Sequence, residues 1–112
     1  MPRTALLVLT AALAALALLP ATTAHAAARG CGTVRLNDGA SVHVRVLRGP
    51  VRCTTARSAL KRYFNSTAPC ARSSCLRTLG RWTCQTAGYH DFPRLATCNR
   101  KRRRIAAYSL AD

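Results

Sequence analysis

Val42-His43-Val44-Arg45-Val46-Leu47 alternates valine with larger, mostly polar residues, and Gly49-Pro50 ends the run. A period of two marks a half-buried β-strand, because successive side chains of an extended chain point to opposite faces. The valines therefore face a core, and His43 and Arg45 take the outer side. Just upstream, Val34 and Leu36 stand two apart before Asn37-Asp38-Gly39, a turn sequence, so the segment reads as a β-hairpin.

Downstream the period changes. Thr54 or Thr55 can accept hydrogen bonds from the free N–H groups of a helix start, and Ala56, Ala59, Leu60, Tyr63 and Phe64 follow at spacings of three and four. That is one amphipathic helix, with Arg57, Lys61 and Arg62 on its wet side. Asn65-Ser66-Thr67 and Pro69 stop it. After a loop, Trp82 and Cys84 share one face of a third strand, and Ile105 to Tyr108 form a fourth beyond the stretch Gly88 to Asn99. The expected fold is α+β: one helix packed on a short antiparallel sheet in the order β-β-α-β-β, a single domain over residues 27–112.

The N-terminus reads differently. Arg3 precedes Ala5 to Leu19, which holds no charged residue until Pro20 breaks it, and Ala24-His25-Ala26 offers the small-x-small pattern of a signal peptidase site. An apolar run of about 15 residues spans roughly 22 Å as a helix, short of the ~30 Å hydrocarbon core of a membrane. Residues 1–26 are thus expected to be a cleavable signal peptide, with no stable membrane span left after cleavage. Lipidation at Cys31 fits poorly, because Ala28-Arg29-Gly30 precedes it.

Export decides how the cysteines are read. Cys31, Cys53, Cys70, Cys75, Cys84 and Cys98 are six, all beyond the leader, and in an oxidising compartment an even set of this kind forms three disulfides. A chain this short needs them, since ordering a residue opposes folding by about 1.5 kcal/mol and burial alone leaves a thin margin. Six cysteines allow 15 pairings. The four residues between Cys70 and Cys75, Ala71-Arg72-Ser73-Ser74, suit a local bridge, and the other four cysteines are expected to tie the N-terminal strand, the helix start and the last strands together. A Cys53–Cys98 bridge is one such pairing; it would close about 46 residues and add about 4 kcal/mol through loop entropy. Zinc held by His43 or His90 with cysteines is the rival reading, but paired C-x2-C knuckles are missing. No cofactor is expected.

Val51-x-Cys53-x-x-Ala56-Arg57 at the helix start, Gly80-x-Trp82-x-Cys84 and the later Cys98 together resemble a pattern of small, mostly uncharacterised exported proteins of actinobacteria. The resemblance runs from about Val51 to Tyr108. It implies a shared scaffold of cysteines, helix face and core tryptophan, and it lends no catalytic residue. Such genomes favour Arg over Lys, which matches 16 arginines against two lysines.

Codon usage does not explain the near absence of acids. The chain carries 18 Lys and Arg against three Asp and no Glu, a formal charge of +15, and removal of the leader takes away only the charge of Arg3. Such a surface draws polyanions by steering and counterion release. Outside the cell these include teichoic-type polymers, anionic lipid headgroups, extracellular DNA and acidic proteins. The densest cluster, Arg100-Lys101-Arg102-Arg103-Arg104, is either a solvated turn leading into the last strand or an anion-binding site. With Tyr63, Phe64 and Trp82 claimed by the core, sequence-specific nucleic-acid binding is disfavoured.

Paired carboxylates for acid–base chemistry are missing, since Asp38 sits in a turn, Asp91 in a loop and Asp112 at the end. Six paired cysteines leave no thiol nucleophile. The surviving enzymatic idea is a secreted ribonuclease with His43 and His90 as base and acid. The expectation is instead a non-enzymatic, monomeric, extracellular cationic protein that associates with anionic envelope polymers or other polyanions. Two alternatives stand beside it: a protein-binding or protease-inhibitor-like module presenting Ala71 to Ser74, with Arg72 aimed at a trypsin-like protease, and an antimicrobial domain. The last needs a free apolar helix face. Asn65-Ser66-Thr67 also matches a glycosylation sequon, without expected occupancy in a bacterium.

Overall fold

The computed structural model describes residues 28–110; the leader expected over 1–26 lies outside them. Among these residues six strands and one helix follow in chain order: β1 (Arg29–Arg35), β2 (Ser41–Arg48), α1 (Cys53–Asn65), β3 (Arg77–Leu79), β4 (Trp82–Thr86), β5 (Arg94–Arg100) and β6 (Arg103–Ser109), with a 3-10 turn at Tyr89–Asp91. All six strands form one antiparallel sheet in the order β1-β2-β6-β5-β4-β3. The α+β class with one helix on an antiparallel sheet holds. The expected β-β-α-β-β order is corrected to β-β-α-β-β-β-β, because β3 and β5 were not anticipated.

The physical reason lies in their side chains. In β3 the ladder is three residues long, too short to show a period. In β5 the inward positions are Ala96 and Cys98, both fully buried, while Thr97 and Asn99 alternate with them. Small inward residues mask the period-two signal that large ones give in β2.

One face of the sheet carries the core. Val42, Val44 and Val46 of β2 stand in register with Val34 of β1 and with Ile105 and Ala107 of β6, which in turn face Cys98 and Ala96 of β5. Against this surface α1 lays Ala56, Ala59, Leu60 and Tyr63, all buried, and Trp82 and Cys84 complete it from β4. Full burial of a residue such as Leu60 or Ile105 stabilises the fold by about 1.5–3 kcal/mol.

The helix begins at Cys53, one residue before the expected caps. Arg52 occupies the cap position and gives no side-chain hydrogen bond, so Thr54 and Thr55 lie inside the first turn. At the other end Arg77 closes the helix from β3. Its guanidinium Nη1 donates to the carbonyl oxygens of Tyr63 and Ser66, each at 3.1 Å, and Nη2 to that of Ala68. Tyr63 is in the last turn, where its carbonyl also accepts from the Ser66 N–H at 3.4 Å, and Ser66 and Ala68 follow the helix.

The disulfides are Cys31–Cys53, Cys70–Cys75 and Cys84–Cys98. The local Cys70–Cys75 bridge is as expected. The Cys53–Cys98 pairing is not: Cys53, at the helix start, is bound to the edge strand β1, and Cys84 and Cys98 face each other across the β4–β5 ladder with Cα atoms 4.0 Å apart. Register decides this pairing, since directly opposed residues on one face bring their Cβ atoms within disulfide reach. Three disulfides in a domain of this size point to an oxidising environment outside the cytosol. Among the described residues no helix is long and apolar enough to cross a membrane.

Candidate anion-binding face

The basic run at residues 100–104 is the β5–β6 hairpin. Arg100 pairs with Arg103 and Asn99 with Arg104 across the ladder, and the turn between them consists of Lys101 and Arg102. Lys101 holds φ 52°, in the left-handed region. Alternation then divides the cluster. Arg100 and Arg103 point to the helix side, Arg104 to the opposite side, and Lys101 and Arg102 are exposed at the tip. Arg104 Nε donates to Asn99 Oδ1 at 2.8 Å. Five consecutive cations in sequence are therefore no single patch in space.

Register assembles a different set. The sheet face turned away from α1 receives Arg35 from β1, His43 and Arg45 from β2, Arg104, Ala106 and Tyr108 from β6, Thr97 and Asn99 from β5, and Thr83 and Gln85 from β4. Toward one end of it, His43, Tyr108 and Arg94 stand opposite one another on three adjacent strands. Among the described residues no helix packs on this side. Ala106 is fully buried there all the same. Its cross-strand neighbours are Arg45 and Thr97, and the Arg45 guanidinium lies 5.8 Å from the centre of the Tyr108 ring, so long side chains roof the centre of the face. The arrangement favours cation and ring mutually.

Of the two described carboxylates, one reaches the rim of this face. Asp38 lies in the β1–β2 turn and accepts from the Ala40 N–H at 2.9 Å; Asp91 lies in the 3-10 turn, 3.3 Å from Arg94. Asp112 lies outside the described residues. Several other arginines are committed to structure: Arg77 at the helix end, Arg57 on the Cys31 carbonyl at 2.8 Å, and Arg29 on the Val51 carbonyl. None of these reaches the open face.

The remaining residues singled out from the sequence have definite places. His43 sits on the open face, its imidazole against the bare Cα of Gly30: a Cβ there would lie 3.5 Å from Nε2. His90 is exposed in the turn before β5, edge-on to Tyr89. All six cysteine sulfurs are in disulfides, which leaves no thiolate for nucleophilic attack or for a metal. Ala71 to Ser74 form a tight turn closed by two hydrogen bonds between Ala71 and Leu76 and by Cys75 N–H to Arg72 O, with Arg72 at φ 63°. A protease reads an extended strand, and this backbone is curled instead. The apolar face of α1 is spent on the sheet. Asn65 of the sequon is half-buried and accepts from the Asn37 N–H at 2.9 Å. Comparison with protein-family models, with curated proteins and with solved structures returns no match.

The open face escaped sequence reasoning because its members come from five strands, and only β2 displayed its outward residues plainly. Arg45 and His43 were legible as outward; that Tyr108 and Arg104 join them depends on β6 lying beside β2.

Proposed function

We propose that this chain is a secreted, non-enzymatic cationic protein that associates with polyanions outside the cell, of the kind presented by a bacterial envelope or its surroundings. The observation that carries the reading is the segregation of charge: 17 of the 18 lysines and arginines fall within residues 28–110, while the two carboxylates there, Asp38 and Asp91, sit in loops. A sheet face whose arginines outnumber the one acid at its rim, Asp91 against Arg94, keeps a positive potential close to the surface. The three disulfides and the apolar leader support export, and the resemblance to small exported proteins of actinobacteria agrees with it.

Retention on heparin resin tests this reading. The mature protein is expected to bind at low salt, with the logarithm of its affinity falling linearly with the logarithm of salt concentration, as phosphate or sulfate contacts release counterions. Passage through the column at low salt would refute it. Polymeric RNA incubated with the protein is expected to stay intact; cleavage that disappears in His43→Ala or His90→Ala would restore the ribonuclease reading.

A further inference from the structure

Six aromatic residues occur in the chain. Tyr63 and Trp82 are buried in the core and Phe64 packs against it. The other three, Tyr89, Phe92 and Tyr108, lie on segments that meet at one end of the sheet. Tyr108 stands on the open face, opposite both His43 and Arg94. Tyr89 and Phe92 belong to the connection between β4 and β5, and that connection is held to the end of β6 by the Ser109 N–H donating to the Pro93 carbonyl at 2.8 Å. Tyr89 is 91% exposed and Phe92 58% exposed. An aromatic ring so far out of the core contributes little to folding, and here two of them lie in the connection that adjoins the cationic face, with Asp91 between them in sequence and paired to Arg94.

We propose, building on the polyanion reading above, that this end of the open face binds single-stranded polynucleotide, with phosphates held by Arg45 and Arg104 and bases stacked on Tyr108, Tyr89 and Phe92. A positively charged surface that tracks the backbone, with aromatic rings beside it for successive bases, is how proteins hold single strands without regard to sequence. The rest of the face suits this ligand. Gln85 and Thr83, both exposed, present neutral donors and acceptors to base edges, and the Arg45 guanidinium near the Tyr108 ring extends the stacking platform. A sulfated or phosphate-only polymer would use the arginines and leave the rings idle. A duplex hides the faces of its bases and would do the same.

The test compares a fluorescent oligothymidylate of about a dozen nucleotides, within the ~4–16 nucleotides that such surfaces cover, with an abasic deoxyribose-phosphate chain of equal length and charge. The mature wild-type protein is expected to bind the oligothymidylate at least about 100-fold more tightly than the abasic chain, with Tyr89→Ala and Phe92→Ala each lowering that preference about 10-fold, the worth of one stacked base. Both substitutions are at exposed positions and leave the core intact. Arg45→Gln is expected to weaken both ligands together. Equal affinity for the two chains, or an oligothymidylate preference undiminished in both aromatic variants, overturns the inference while heparin retention still upholds the polyanion reading. Failure to bind either chain or heparin removes both. If vesicles of phosphatidylglycerol compete for the protein and the aromatic variants lose vesicle binding instead, the rings serve a lipid surface and the inference falls.

Discussion

Arg77 is half-buried against the C-terminal end of α1, and replacing it by methionine keeps the stem while removing the fork. Three carbonyl oxygens, those of Tyr63, Ser66 and Ala68, lose the guanidinium as donor, that of Tyr63 keeping the longer bond from the Ser66 N–H at 3.4 Å, and the guanidinium also leaves its place 5.8 Å from the centre of the Tyr63 ring. A net contribution of about 1 kcal/mol per hydrogen bond, with water reaching the more exposed Ala68 carbonyl, gives a destabilisation of about 3 kcal/mol. For a domain of this size that lowers Tm by roughly 12–24 °C. Arg77→Lys keeps the charge but places its donors on one atom, which cannot span carbonyls that the planar fork reaches together; its expected loss is about 2 kcal/mol. Urea unfolding of the oxidised protein, followed by the fluorescence of the buried Trp82, measures both. If Arg77→Met unfolds within about 0.5 kcal/mol of the wild type, the error of a contact-based estimate, or if lysine substitutes without loss, the fork is not what closes the helix.

Two further outcomes follow from backbone and burial. Gly49 holds φ 77°, and a Cβ there would stand 3.0 Å from Arg103 Cγ and 3.1 Å from the Arg102 carbonyl oxygen; Gly49→Ala is expected to destabilise by about 1–3 kcal/mol through left-handed strain and crowding against the β5–β6 turn, and calorimetry showing wild-type Tm would contradict that placement. Under graded thiol reduction Cys70–Cys75, whose Cys70 is exposed, is expected to open first and the fully buried Cys84–Cys98 last, a sequence that mass spectrometry of alkylated peptides reads directly. Loss of Cys84–Cys98 by paired alanine substitution is expected to remove about 3 kcal/mol, the loop-closure value for a separation of 14 residues.

The pieces legible in the sequence are those written in local periodicity. Val42, Val44 and Val46 announce β2 because large apolar side chains recur every second residue, and Ala56 to Phe64 announce α1 because they recur every third and fourth. The turn at Asn37-Asp38-Gly39 is local too, with Gly39 at φ 88°. Even the Cys70–Cys75 bridge is local, since four intervening residues can do little but fold back. β5 was hidden for the same reason in reverse: Ala96 and Cys98 are small enough to be buried without looking apolar, and they gain meaning only opposite Ala107 and Ile105.

What the sequence by itself determined is composition and local form: a strongly cationic chain almost without acids, an apolar leader, six cysteines in the remainder, an amphipathic helix and a hairpin. Strand order and register are set by contacts between residues distant in the chain, and only the tertiary structure decided them. By register Cys84 meets Cys98, and the docking of the helix start on β1 brings Cys53 to Cys31. By register the run Arg100 to Arg104 is shared among two faces and a turn, and Arg45, Arg104 and Tyr108, far apart in sequence, stand on one open surface. A period of two says which residues share a face within a strand; which strands lie side by side depends on the free energy of the whole core.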